Sequence, residues 1–183
     1  MAVNDTNLSA WFRDAATRHP DILHADTVPG KRFLEMEWDE MVQNGKQLAN
    51  NKWYLILEDY KEQFIDNGGE YITITPVLSF LVVRSTPLGS MEKKMETYVK
   101  AREIAKSIVQ KLHADSIACR NNTDADVPPG VVPPVNVELG TLTFQRVQPP
   151  MFAHSAGVYC TVRVRTNEEE DFGSSDVDWV PLP

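Results

Sequence analysis

Cysteine is scarce in this chain: two residues, Cys119 and Cys160, in 183. A small disulfide scaffold is excluded, because such folds hold several pairs at close spacing. A zinc site is equally unsupported, since no second cysteine pair exists and the four histidines do not cluster. With no basic, apolar leader in Met1–Thr6, the expectation is a chain without a secretion signal, carrying both thiols reduced. Long apolar runs are also missing. The longest are of the kind Tyr54-Leu55-Ile56-Leu57 and Phe80-Leu81-Val82-Val83, far short of the roughly 20 residues that cross a bilayer.

A cationic surplus is lacking too. The chain holds 18 basic and 26 acidic residues, for a net charge of −8. No basic residue follows Arg165, whereas Glu168, Glu169, Glu170, Asp171, Asp176 and Asp178 do, so the first 165 residues carry a net of only −2. A near-neutral body with an acidic tail is a poor grip for free nucleic acid, which is bound by releasing counterions from neutralised phosphates.

What is present is the composition of a chain with a core, 42% apolar and 24% charged. Its length fits one domain, residues 1–166, followed by a flexible acidic tail, 167–183. Leu8, Trp11, Phe12 and Ala15 fall on one face of a helix, capped by Asn7 or Ser9 and ended by Pro20 near His19. Phe33 to Ala49 reads as a second, weaker helix through Phe33, Leu34, Trp38, Met41, Val42 and Leu48. Trp53 to Asp59 is a strand. The polar stretch Tyr60 to Glu70 follows, with a turn at Asn67-Gly68-Gly69.

Tyr71 to Thr75 and Val77 to Arg84 read as two strands, or one long bent one. At Pro76 the strand lies at a sheet edge or bends, because proline has no N–H to donate. The clearest element is a helix from Met91 to about His113, with Ser90 as cap and an i,i+4 pair between Glu96 and Lys100. Residues 115–135 show no periodicity, and the run Val127-Pro128-Pro129-Gly130 to Pro134 reads as a stiff loop. Two closing strands follow, Asn136 to Val147 and Gly157 to Thr166. In the second, Val158, Cys160, Val162 and Val164 alternate with Tyr159, Thr161, Arg163 and Arg165. The expected fold is α+β: a mostly antiparallel sheet of four to five strands, one long helix across it, and N-terminal helices.

Chemistry-bearing patterns are weak. His154-Ser155 are neighbours on the chain without a nucleophile-elbow pattern, and a polar loop accounts for them. Cys160 lies on an apolar strand face, the setting of an inert thiol. Glu35, Glu37, Asp39 and Glu40 around Trp38 have no calcium-loop spacing and fit a solvated helix face. Trp38, Trp53 and Tyr71 are better read as core or sheet-face residues than as a stacking platform. No catalytic, metal-binding or cofactor-binding residue is expected, and no enzyme.

The ordering itself resembles the tail-terminator and tail-completion (head–tail joining) proteins of long-tailed bacteriophages. The matching segments are Trp53-Tyr54-Leu55-Ile56-Leu57-Glu58, Leu78-Ser79-Phe80-Leu81-Val82-Val83, the helix Met91 to Leu112, and Gly157-Val158-Tyr159-Cys160-Thr161-Val162. Phe33-Leu34-Glu35-Met36-Glu37-Trp38-Asp39-Glu40 and Ile104-Ala105-Lys106-Ser107-Ile108 also resemble segments of Bacteroidetes prophage proteins. The likeness covers about residues 7 to 166 and is one of hydrophobic pattern.

It implies a structural virion protein at the tail–neck junction, made in the host cytoplasm. Its partners would be copies of itself in a ring, expected to be a hexamer, the tail tube protein, and a neck or head connector. DNA would be only passing cargo, and neither cofactor nor membrane would be involved. The family offers no fixed site. Phe172, Trp179 and Pro181 in the tail are the expected subunit contacts, with Trp179 as aromatic anchor. Alternatives are a neck or head-completion protein, a cap adaptor of a contractile injection system, or a monomeric small-molecule-binding or enzymatic α+β domain.

Overall fold

Leu8, Trp11, Phe12, Ala15 and Ala16 are spaced to share one side of a helix, and all five are buried in α1, Asp5–Arg18. The computed structural model describes residues 5–27, 30–36, 48, 52–58, 61–66, 72–85, 91–121, 135–147 and 155–166. The expected caps Asn7 and Ser9 lie inside α1. Beyond Arg18 the chain tightens: Leu23 N–H donates to His19 O at 2.9 Å and His24 N–H to Ala16 O at 3.1 Å. Leu23 itself takes the left-handed conformation, with φ of 51°.

Strand β1, Phe33–Met36, replaces the start of the expected second helix. Two ties hold it extended. His24 Nδ1 accepts from the backbone N–H of Arg32 (2.9 Å) and of Phe33 (3.1 Å), and Arg32 O accepts from Leu55 N–H (2.9 Å). The helical stripe read from Phe33 onward therefore fails at its first residues. The rest of it, apart from Leu48, lies outside the described residues, as do Trp38 and the acidic residues after Glu35. Glu35 is exposed on β1, so that carboxylate belongs to a strand and not to a helix.

The sheet continues with β2 (Trp53–Glu58), β3 (Lys61–Asp66), β4 (Ile72–Ser85), β5 (Val135–Val147) and β6 (Ser155–Thr166), in the order β1-β2-β4-β6-β5. Among the described residues only β1 and β2 run parallel. Among the described residues six strands form: five lie side by side, as expected, and the sixth is β3, in the polar stretch after Glu58.

β3 widens nothing. Val77 of β4 pairs with Lys61 on one side and Arg163 of β6 on the other, so β3 runs along the edge of β4 that β2 occupies. The pairs Leu57↔Phe80 and Lys61↔Val77 set four steps against three, so one extra residue is inserted between β2 and β3, as in a bulge. β2 and β3 together thus line most of β4, opposite residues 80–84 and 72–77. The two regions read as separate strands are one, running through Pro76. Pro76 stands one residue beyond the last β4–β6 pair, where only β3 lies alongside, as its missing N–H requires.

Across one sheet face lies α2, Met91–Asn121, 31 residues and about 46 Å long. It outruns its expected end near His113, and the first part of the expected loop is helix. Its last turns lack an apolar period and are tied by polar contacts. The indole N–H of Trp11 donates to Asp115 (3.0 Å), Lys111 pairs with Asp115 (2.9 Å), and buried Ser116 donates to Leu112 O (2.8 Å). The expected Glu96–Lys100 pair is replaced by Lys100 with Asp21 at 3.1 Å, which clamps the turn after α1 to α2.

The main core lies between these helices and the sheet. Trp11, Phe12, Leu55, Phe80, Ile104 and Leu112 are all below 2% exposed, and Phe12 and Phe80 meet with ring centroids 5.3 Å apart. Each such side chain contributes about 1.5–3 kcal/mol by leaving water. The alternation read in β6 holds, with Val158, Cys160, Val162 and Val164 facing this core. The opposite face is apolar as well: Tyr54, Ile56, Leu81 and Val83 are buried, with Leu34, Met36 and Leu48 packed against them. Burial on both faces explains the unbroken apolar run of β2.

Candidate functional site

Three constellations bring polar or reactive side chains together. The first is His19 with Ser107, joined by α1 packing on α2. His19 Nε2 stands 2.8 Å from Ser107 Oγ, the separation of a base and its nucleophile. The polarity is reversed, however. His19 Nδ1 accepts from Asp21 N–H at 3.2 Å, so in the neutral ring the proton sits on Nε2 and points at the serine. Ser107 in turn donates to Ile104 O at 2.7 Å. An imidazole that donates to the hydroxyl does not take a proton from it. Burial lowers the pKa of His19 below 6.5, opposed by nearby Asp21 and assisted by Lys100, which keeps this neutral arrangement at pH 7. Sequence reading missed the pair, because 88 residues separate its members.

The second lies on the sheet face away from the helices. Glu58, the last residue of β2, is 4% exposed. Strand alternation turns it to the same side as Tyr54 and Ile56, beside Ser79 of β4, whose partner on β6 is Thr161. Tyr159, one row along, donates its hydroxyl to Glu58 Oε2 across β4, and Thr161 meets Thr143 of β5 through their hydroxyls. Glu58, Ser79, Thr161 and Thr143 thus form a polar row across four strands, bordering the apolar patch of Ile56 and Leu81.

Burial first, and the bond to Glu58 next, push the Tyr159 pKa up to about 12. A group tuned for proton transfer moves toward neutrality, and this one moves away. At neutral pH Tyr159 is therefore a fixed donor, and the row ties strands together. Burial likewise pushes the Cys160 thiol up to about 12, so it is a packed side chain and a poor nucleophile.

The third is a surface. Among the described residues no strand pairs with the outer edge of β5. The flank of α2 beside it exposes Met91 (73%), Met95 (38%) and Val99 (58%). Arg102 lies over the Phe144 ring at 5.4 Å and Arg146 over Tyr98 at 5.4 Å, with Leu142 and Phe144 only partly covered. Apolar area beside an unpaired edge is the composition of a docking surface.

Of the residues singled out in the sequence, Ser155 is buried in β6 and Trp53 is buried under Arg84, 5.6 Å from its ring. His154, Tyr71, the turn at Asn67-Gly68-Gly69, and the tail residues Phe172, Trp179 and Pro181 lie outside the described residues. Among the described residues no group of three or more His, Cys, Asp or Glu is placed to hold a metal ion. Among the described residues no helix is long and apolar enough to cross a membrane. No protein-family model, curated protein or solved structure shows significant similarity to this chain.

Proposed function

We propose that the chain is a structural building block of a phage-type particle, one that assembles with copies of itself into a ring closing a tail tube and joining it to the neck. The observation that carries this reading is the outer edge of β5, which has no strand partner among the described residues and lies beside exposed Met91, Met95 and Val99. A surface of this kind suits association of copies in a head-to-tail manner, and such association closes into a ring when its rotation allows. The order of elements supports it too: one N-terminal helix, a sheet, a long helix across one face and a closing pair of strands is the order on which the resemblance to tail terminators rests.

The test is light scattering coupled to size exclusion on the full chain, with negative-stain imaging, alone and with a phage tail-tube protein. Rings with a central opening are the expected result. A monomer in both samples would overturn the reading.

A further inference from the structure

We propose that the acidic C-terminal segment, residues 167–183, docks in its own chain along the flank formed by α2 and β5. The proposal concerns the flank that also carries the ring reading: a segment docked there in its own chain shields that flank until a second copy displaces it. The proposal rests on charge, on reach and on the character of the exposed side chains.

Successive residues of a helix turn by about 100°. On that spacing Met91, Met95, Val99, Arg102, Lys106 and Ile117 occupy one stripe of α2, beside the buried Tyr98 and Val109 and toward β5. No carboxylate falls on that stripe. Glu92, Glu96 and Glu103 occupy the next one, on the outer crest of the helix. Arg146 of β5 joins the same flank through its contact with Tyr98. The surface is thus apolar at its N-terminal end and cationic in the middle, in a chain of net charge −8. The C-terminal segment is its complement: six carboxylates, no cation, and Phe172 and Trp179 as large apolar side chains.

The chain path delivers the segment to this place. Arg102 meets Phe144 and Arg146 meets Tyr98, so α2 runs opposite to β5 and its C-terminal turns approach the Val135 end of that strand. Val135 pairs with Thr166, the last residue of β6. The segment therefore starts near one end of the flank. Its 17 residues span about 56 Å when extended, against about 33 Å of helix from His113 back to Met91. Trp179 can reach the exposed methionines with length to spare, and Asp176 and Asp178 pass the level of Arg102 and Lys106. Attachment at Thr166 also keeps the segment at high effective concentration, so modest contacts suffice.

The experiment uses the full chain with methyl-labelled methionine and a nitroxide on Ser175→Cys, in a Cys119→Ser background. Docking broadens the Met91 and Met95 methyl signals and leaves Met36, on the far edge of the sheet, unaffected. Lys106→Glu, Trp179→Ala and roughly 1 M salt, where screening acts within about 3 Å, each restore the lost intensity. Unchanged Met91 and Met95 signals in the labelled full chain would overturn the proposal. A one-to-one mixture of spin-labelled and isotope-labelled copies checks the route. Broadening only between different molecules would show that the occupant comes from a second copy, and so overturn docking in the same chain.

Discussion

Tyr159 on β6 donates its hydroxyl to Glu58 on β2, 101 residues away in sequence and two strands away in the sheet. The bond passes over β4 and ties β2 and β6 together on the face away from the helices. It also gives a buried carboxylate a donor, without which its burial is costly.

Removing that donor takes one hydrogen bond from the buried Glu58 side chain. Tyr159→Phe is expected to cost about 1–3 kcal/mol in urea unfolding, and Tyr159→Phe with Glu58→Leu less than the sum of the two single changes. Equal additivity would show that the bond carries no coupling.

The same tyrosine sets a pH dependence. Its folded pKa, about 12, lies above the unfolded value of about 10, so the native state holds its proton more tightly. The stabilisation is fully present below pH ~10 and is lost as pH rises through ~12. Wild type is expected to lose more stability than Tyr159→Phe across that window, measured by denaturant midpoint at each pH.

Gly157 has no room for a side chain. A Cβ there would stand 2.1 Å from Val82 O and 2.7 Å from Val83 Cα, both backbone atoms of the adjacent strand. Gly157→Ala should cost about 3 kcal/mol, since β4 is packed on both faces and cannot retreat. Gly140→Ala, where a Cβ meets nothing within 4 Å, should stay within about 0.5 kcal/mol. Similar unfolding midpoints for the two would contradict this account of β4 and β6.

Leu23, 56% exposed with φ of 51°, holds a conformation that costs a branched side chain energy and glycine none. Leu23→Gly should raise stability by about 0.5–1 kcal/mol, after the larger entropy of glycine in the unfolded chain is offset. A lower melting temperature would show that Leu23 packs against something that repays its strain.

Cys160 is fully buried with a pKa of about 12, so a thiol reagent should reach it only when the chain opens. Its labelling rate should follow the unfolding equilibrium through low concentrations of urea. Fast labelling in buffer would place the thiol at the surface.

Much of the architecture follows from local pattern. The stripe from Leu8 to Ala15 and the alternation from Val158 to Val164 state their partner face, because apolar side chains must leave water together; the α2 stripe, read from Met91 to Leu112 with Val99 in it, is buried at Tyr98, Ala101, Ile104, Ala105, Ile108, Val109 and Leu112 but leaves Met91, Met95 and Val99 exposed. The extra strands and the extra helical turns were not legible in the same way. β3 is polar, and its place comes from backbone pairing with β4. β1 is held by the ring of His24 and a carbonyl bond to Leu55. The end of α2 is kept by Trp11 and Lys111 meeting Asp115. Apart from the i,i+4 pair of Lys111 with Asp115, those ties join separate elements of the fold, and no local periodicity encodes them.

Sequence alone determined the fold class, much of the main core and the acidic character of the C-terminus, since each depends on side-chain type and spacing. Only the tertiary structure decided which polar groups meet: His19 with Ser107, Glu58 with Tyr159, Lys100 with Asp21, and the cationic, apolar flank between α2 and β5. Hydrogen bonds and ion pairs act over a few ångströms, and the packing of helices on the sheet is what brings their members within that range.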